Sequence, residues 1–388
     1  MFRPRMIVIA SLTAVLCAAA PDRRAVEARQ DAAPRAAQPF PASLSNEAFA
    51  RLSVQLSEPA GTFRSENLVS NEHTHQYVIP ELERFTRPGA VYLGVAPDQN
   101  FTYMAATRPR MAFIVDIRRG NLLQHLMYKA IFELSADRAE FVSRLFSKPR
   151  PPGLTAVSTV FDIFSAYARV STSEELYASN LAAIRAHITR RRAFPLTADD
   201  LEQLESIYFA FFWQGPSVRY STVASGFGGR RGVGGGFPTF EEIITQTDYE
   251  GAARSYLASE DRYRFIKGLQ EKNLVVPVMG DFAGPKALRG VGRWVRERGG
   301  RIGAYYVSNV EQYLFQDGKF EDFARNVATL PVDSRSTFIR SVSARYGYNG
   351  TMIWNDLRAS ALYPIPQFIR DFQLGLLRTY GDLNARSR

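Results

Sequence analysis

The chain has one cysteine in 388 residues, Cys17, with four histidines and three tryptophans. A lone thiol inside an N-terminal apolar run has nothing to pair with, so disulfides and cysteine chemistry are excluded from the mature protein. His73 and His75, in the sequence HTH, have only His125 and His187 to join them, and no CxxC exists, so no metal is expected. Gly-x-Ser-x-Gly and Walker A patterns are missing, which removes two common sources of hydrolytic and phosphate chemistry. No internal repeat is present, and no apolar run beyond residue 20 is long enough to span a membrane. Lysine is scarce beside arginine; the formal charge is +10, and the first 40 residues carry six arginines against three acids, leaving about +7 on the rest. Those charges are spread out and form no stripe, so nucleic acid is not an expected partner.

What is present supports a globular protein. Hydrophobic residues make up 46% of a chain long enough for one large domain or two. Met1 to Arg5 holds two arginines, and Met6 to Ala20, MIVIASLTAVLCAAA, is apolar throughout, the layout of a secretory signal peptide over residues 1–20. Cleavage after Ala19, or after Ala28, avoids Pro21. Export to the periplasm or beyond is expected, with a cytoplasmic protein the outcome if the start codon lies too far upstream. Leu16 is bulkier than the small residue that precedes a lipidated cysteine, which disfavours a lipoprotein. Residues 21–43 are rich in Ala, Pro and Arg and read as a disordered tether, with folded structure from about Leu44.

From Ala90 the pattern alternates. AVYLGV, MAFIVDI (111–117), NLVVPVMGD (273–281) and RIGAYYVSN (301–309) read as strands, and helices are expected at Asn46–Leu56, Gln99–Thr107, Asn121–Leu134 and Pro285–Arg298, with Pro80 starting or kinking another. This predicts a doubly wound, mostly parallel sheet in a single α/β domain over 44–388, whose ligand edge is the carboxyl ends of the strands. About 140 residues between the second and third strands predict a helical insertion near 135–270, with capping boxes at Ser171–Glu174, Thr197–Asp200 and Thr239–Glu242. Within it SGFGGRRGVGGGF (225–237) reads as a lid or a plain surface loop. The aromatic runs YFAFFW (208–213) and YGYNGTMIW (346–354) are expected in the core.

The candidate site residues stand at strand ends. Gly94 lets the backbone approach a ligand closely at the mouth of a helix, with Ala96 and Asn100 at the later positions of a loop that is not GxGxxG. Asp116 follows Gly94 by 22 residues, a spacing at which a carboxylate reaches ribose hydroxyls; it could instead cap the next helix or pair with Arg118 or Arg119. Asp281 and Phe282 offer an acceptor for an exocyclic amine and a face for a base, or Asp281 caps the helix that follows. Ser308, Asn309, Glu311, Gln312 and Tyr313 gather after the fourth strand.

In this order the features resemble the class I S-adenosylmethionine-dependent methyltransferases, from about Asn67 to Phe315, interrupted by the insertion. YLGVAPDQN stands at their glycine loop, FIVDI at their ribose-binding acid, GDF at their adenine-binding acid and YYVSNVEQYL at their catalytic segment, while NLVSNEHTHQYVIPEL is similar to their cofactor-covering lead-in. The sequence also resembles an uncharacterised bacterial family with the segments DIRR and SNVEQYL. The resemblance implies S-adenosylmethionine held by Gly94, Asn100, Asp116, Asp281 and Phe282, with Ser70, Asn71 and Glu72 closing over it. Asn309 and Glu311 would face a small-molecule or protein substrate, and Tyr306 or Glu311 would accept or relay a proton. Three departures stand against this: one glycine of the usual two or three, no Pro-Pro-aromatic after Asn309, and a leader pointing to a compartment where the cofactor is not supplied. The alternative is a non-catalytic exported binding or scaffold protein on the same fold.

Overall fold

A computed structural model describes residues 38–221, 237–343 and 358–387. The leader, residues 21–37 of the tether, residues 225–236 of the Gly-rich loop and the run 346–354 lie outside the described residues.

Two helices open the chain, α1 (Asn46–Leu56) and α2 (Ile79–Phe85), the second started by Pro80 in its first turn. The expected strands then appear where the apolar runs stand: β1 (Val91–Gly94) and β2 (Met111–Asp116), joined by α3 (Gln99–Thr107). After β2 come α4 (Arg119–Leu134), α5 (Arg138–Phe146), α6 (Val160–Ala168), α7 (Glu174–Ala186), α8 (Ala198–Gln214), α9 (Phe240–Thr245) and α10 (Glu260–Glu271). The chain closes with β3 (Val275–Met279), α11 (Ala287–Arg296), β4 (Ile302–Ser308), α12 (Val310–Gln316), α13 (Phe320–Val327), β5 (Thr337–Ser343), β6 (Arg358–Pro364), α14 (Ile365–Gln373) and α15 (Tyr380–Ala385).

The six strands form one sheet in the order β3-β2-β1-β4-β5-β6, parallel except that β6 runs antiparallel to β5. Every residue of β1, β2 and β4 is buried, as a parallel sheet covered on both faces requires. The fold is therefore a mostly parallel, Rossmann-like α/β architecture. Its order reverses between β1 and β4, and the crevice at their carboxyl ends is the topological switch point of such sheets.

Four local expectations change. Ordered structure begins before Leu44, because the Phe40 ring meets Trp294 edge-on at 5.6 Å and Gln38 N–H donates to the Glu297 carbonyl. Helix α7 is capped by Ser173 rather than Ser171: the Ser173 hydroxyl accepts from Leu176 N–H. Of the run 208–213, Tyr208 and Phe211 are core, but Phe209 and Trp213 are exposed, since α8 packs on α4, α5 and α7 and leaves its remaining face uncovered. Strands β5 and β6 were not expected at all. Their interior positions hold Arg340, Ser341 and Ser360, buried polar residues that break the apolar run by which a buried strand is recognised.

Candidate functional site at the switch point

Residues Val95 to Asn100 make the turn that leaves β1, and Asn100 holds it. Its side-chain amide donates to the carbonyls of Val95, Ala96 and Pro97 at 2.8, 3.1 and 2.7 Å, and its Oδ1 accepts from the Tyr92 hydroxyl at 2.9 Å. Ala96 sits at φ 65°, a left-handed conformation that costs a Cβ-bearing residue free energy and that these bonds maintain. A Cβ on Gly94 would lie 1.9 Å from Asn100 Oδ1 and 2.8 Å from the Tyr92 ring. Glycine at position 94 thus admits the Asn100 side chain, and neither residue lines the cavity that opens at the carboxyl ends of β1 and β4.

Asp116, at the end of β2, is equally occupied. Its Oδ1 accepts from the backbone N–H of Arg118 at 2.9 Å and from Arg118 Nε at 3.1 Å; its Oδ2 accepts from Arg118 Nη2 at 2.9 Å and Ala96 N–H at 3.2 Å. Of the alternatives open in the sequence, pairing with Arg118 is the one formed, and a carboxylate has about four acceptor positions to give. Asp281 accepts from Ala283 N–H at 2.9 Å and from Lys319 Nζ at 3.0 Å. It does not cap α11. Glu58 does that, accepting from the N–H groups of Asp281, Lys286 and Ala287 at 3.1, 2.7 and 2.7 Å. Phe282 is 3% exposed and stacks on Phe323 with ring centres 5.9 Å apart, so most of its face is spent on the core.

The carboxyl ends of β1 and β4 part around a cavity of about 150 Å³, lined by Ser70, Asn71, Asp116, Asp281, Phe282, Tyr306 and Asn309 among others. Seven of the residues expected at a site therefore do come together. Glu72 lies beneath them. Its Oε1 accepts from the Tyr306 hydroxyl at 2.5 Å and Ser308 at 3.0 Å, and its Oε2 accepts from Ser360 on β6 at 3.0 Å. Burial and then the Glu72 charge push the Tyr306 phenol well above its ordinary range, so Tyr306 is a fixed donor rather than a proton acceptor. Like Ala96, Ser308 has positive φ, 50°, so both strands that part at the switch point end near a strained residue.

Glu311 is not part of this cavity. It is fully buried on α12 and accepts from Arg340 Nε at 2.7 Å; burial pushes its carboxyl up while the Arg340 charge opposes that rise. Arg340 goes on to donate to the Leu383 carbonyl, Asn384 and Ser387, so the pair binds the C-terminal helix to β5.

Sequence reasoning named Arg118 only as an alternative partner of Asp116, and missed Gln99 and Glu58. Gln99 was passed over inside a predicted helix, yet its side chain is 2% exposed and lines the cavity. A polar residue one turn from a strand end, on a helix predicted to lie against the sheet, was the available signal. Next to the cavity, and sharing Thr62, Phe63 and Arg118 with it, runs an open groove of about 1200 Å³ between residues 60–68, the start of α4 and the exposed Phe209 and Trp213 of α8. Among the described residues no group of three or more His, Cys, Asp or Glu is placed to hold a metal, and no helix is long and apolar enough to cross a membrane.

A family model for a domain of unknown function, DUF7790, matches residues 67–194 and 239–372, which is more than half of the chain. The chain belongs to the DUF7790 family. No curated protein matches it. Every site residue named above from Ser70 to Asn309 falls inside the matched DUF7790 spans, whereas α8, one wall of the larger groove, falls between them.

Proposed function

We propose that this DUF7790 protein is a binding protein on a methyltransferase-like fold, that its ligand sits in the switch-point cavity, and that it does not carry out methyl transfer. One observation carries the reading. All four hydrogen bonds to Asp116 come from the chain's own donors, so a ribose diol gains this carboxylate only by breaking a buried, bidentate Arg118 pair. Other features support it. Asn100 fills the space beside Gly94, Glu311 serves Arg340, and about 150 Å³ is small against the roughly 300–1,000 Å³ of ligand pockets in general. The leader expected over residues 1–20 supports it too, since S-adenosylmethionine is a cytoplasmic cofactor.

The second reading, an S-adenosylmethionine-dependent methyltransferase, is favoured by the gathering of Ser70, Asn71, Asp116, Asp281, Phe282, Tyr306 and Asn309 at the carboxyl edge. There the chain's work would be to align a nucleophile with the sulfonium methyl and exclude water, with Arg118 withdrawn from Asp116. Calorimetric titration of the protein with S-adenosylmethionine and S-adenosylhomocysteine separates the two. The binding reading expects no saturable heat from either; micromolar binding that Asp116→Ala weakens at least tenfold would overturn it.

A further inference from the structure

We propose that the amino-terminal edge of the sheet is a docking face for the anionic headgroups of a phospholipid bilayer. The inference is independent of what the switch-point cavity binds.

Arginines scattered along the sequence meet at this edge. Strands β2, β1, β4 and β5 are parallel neighbours, so the loops that lead into them lie side by side. Each loop brings an exposed arginine: Arg110 directly before β2, Arg87 before β1, Arg301 directly before β4 and Arg335 before β5. Backbone bonds join the loops. Arg110 N–H donates to the Ala90 carbonyl at 3.2 Å, Val91 N–H to the Arg301 carbonyl at 2.8 Å, and Ile302 N–H to the Pro331 carbonyl at 2.8 Å. Neighbouring strands stand about 4.8 Å apart, so the four cations share a row of roughly 15 Å. Among the described residues none of the four is in an ion pair, whereas Arg108, in the same loop as Arg110, is held by Asp261. Exposed Arg293 and Arg296, in the last turn of α11, add to the row. The acids of these loops are Glu297, which lies 3.9 Å from Arg298, and Asp333, whose carboxylate accepts from the backbone N–H of Arg335 at 2.9 Å. At the carboxyl edge the balance differs: Arg118, Arg119 and Lys319 are each paired, with Asp116, Asp200 and Asp281.

Like charges this close repel one another within a Debye length of about 8 Å at physiological salt, and an anionic surface relieves that repulsion. A row of this length is more than one small anion can span. The aromatic pair beside it favours a bilayer over a nucleic acid. Half-buried Phe40 and Trp294 carry guanidinium groups over their rings, Arg110 at 5.0 Å from the Phe40 centre and Arg298 at 3.9 Å from that of Trp294. Tryptophan suits the headgroup level, where its ring meets hydrocarbon and water at once. The folded body also begins at this edge, since Gln38 N–H donates to the Glu297 carbonyl at 3.1 Å, so the leader expected over residues 1–20 is joined to the same face. Docked in this way, the protein turns the switch-point cavity, at the opposite ends of the strands, away from the bilayer and leaves it open to a ligand.

The test is co-sedimentation of the full chain with vesicles of phosphatidylglycerol and phosphatidylethanolamine in equal parts, with phosphatidylcholine vesicles as the neutral control. It is run at about 0.1 and 1 M salt, where charges are felt over about 10 and 3 Å, and the salt-sensitive part of the binding is read. Residues 1–37 are the same in every variant, so differences report the folded face. The wild type is expected to favour the anionic vesicles at the lower salt. Each arginine near an anionic surface changes the partition about fivefold, so Arg87→Gln or Arg301→Gln alone should lower it by that factor and Arg87→Gln/Arg110→Gln/Arg301→Gln about a hundredfold. Arg64→Gln/Arg169→Gln/Arg378→Gln removes the same charge from exposed positions in other segments and should change it only a few-fold. Should the first triple variant fail to fold, the two single variants decide. Equal partition onto anionic and neutral vesicles overturns the face, as does a first triple variant that binds like the wild type or a second that loses as much as the first. A DNA duplex bound more tightly than the anionic vesicles, through the same three arginines, assigns the face to nucleic acid and overturns the lipid reading.

Discussion

Gly94 and Asn100 act as a pair, and a glycine loop read for a ligand is in fact closed by a side chain of the same loop. Gly94→Ala should destabilise the protein by about 1–3 kcal/mol through overlap with Asn100 and Tyr92. In Gly94→Ala/Asn100→Ala part of that cost disappears, so urea denaturation of the two single variants and the double variant should show a coupling of about 1 kcal/mol. Asp98, which follows the last of Asn100's carbonyl partners, makes a different prediction. Burial pushes its carboxyl up to about 7 from an ordinary 3.8, a rise that its own backbone N–H and then the nearby Tyr256 hydroxyl oppose. The folded protein therefore holds this proton to higher pH than the unfolded chain does. Stability should fall as pH rises from about 4 to about 7 and level off above that. Asp98→Asn stays neutral and should remove that slope, gaining on the order of 4 kcal/mol at most on the alkaline side; a slope unchanged in the variant would assign it elsewhere. At this scale the sequence showed the residues and left their partners open. Asp116 and Arg118 were visible two positions apart, but whether a carboxylate turns to its neighbour or to a ligand is decided by a rotamer, which no spacing records.

Elements were more legible than partners. Strands β1 to β4 follow from apolar runs, and α1 from the spacing of Phe49, Leu52 and Leu56, because burial on both faces or on one stripe leaves a periodic trace. The later strands left none: Arg340 bonds Glu311 on α12 and Ser360 bonds Glu72 ahead of α2, polar contacts with other elements that no local periodicity records. The cap of α11 was illegible for the same reason, since Glu58 reaches it from more than 220 residues upstream. Glu58→Ala should strip three N–H groups of their acceptor, cost about 1–2 kcal/mol, and speed amide exchange in the first turn of α11 before other helices respond. Exchange that rises evenly over all helices would mean that Glu58 supports the fold globally instead.

For the whole molecule, the Glu311–Arg340 pair ties α12, β5 and α15 together with both side chains fully buried. Arg340→Met should cost about 3–5 kcal/mol by stranding the Glu311 charge, whereas adding Glu311→Leu should recover much of that loss in denaturant midpoint. The sheet order could not be read from the sequence, because alternation predicts parallel strands without saying on which side of β1 the chain resumes; it is the reversal between β1 and β4 that creates the cavity. One contact at the start of the described residues has a consequence for how far the chain can be shortened. Phe40 covers Trp294 and fills the space beside Gly300, where a Cβ would come within 2.5 Å of its ring, and Gln38 is bonded to Glu297. The folded body of the described residues therefore reaches back to Gln38. A protein lacking residues 1–44 exposes the back of α11 and should melt several degrees below one that lacks residues 1–37 alone, so the stretch between Gln38 and Leu44 counts as part of the folded domain.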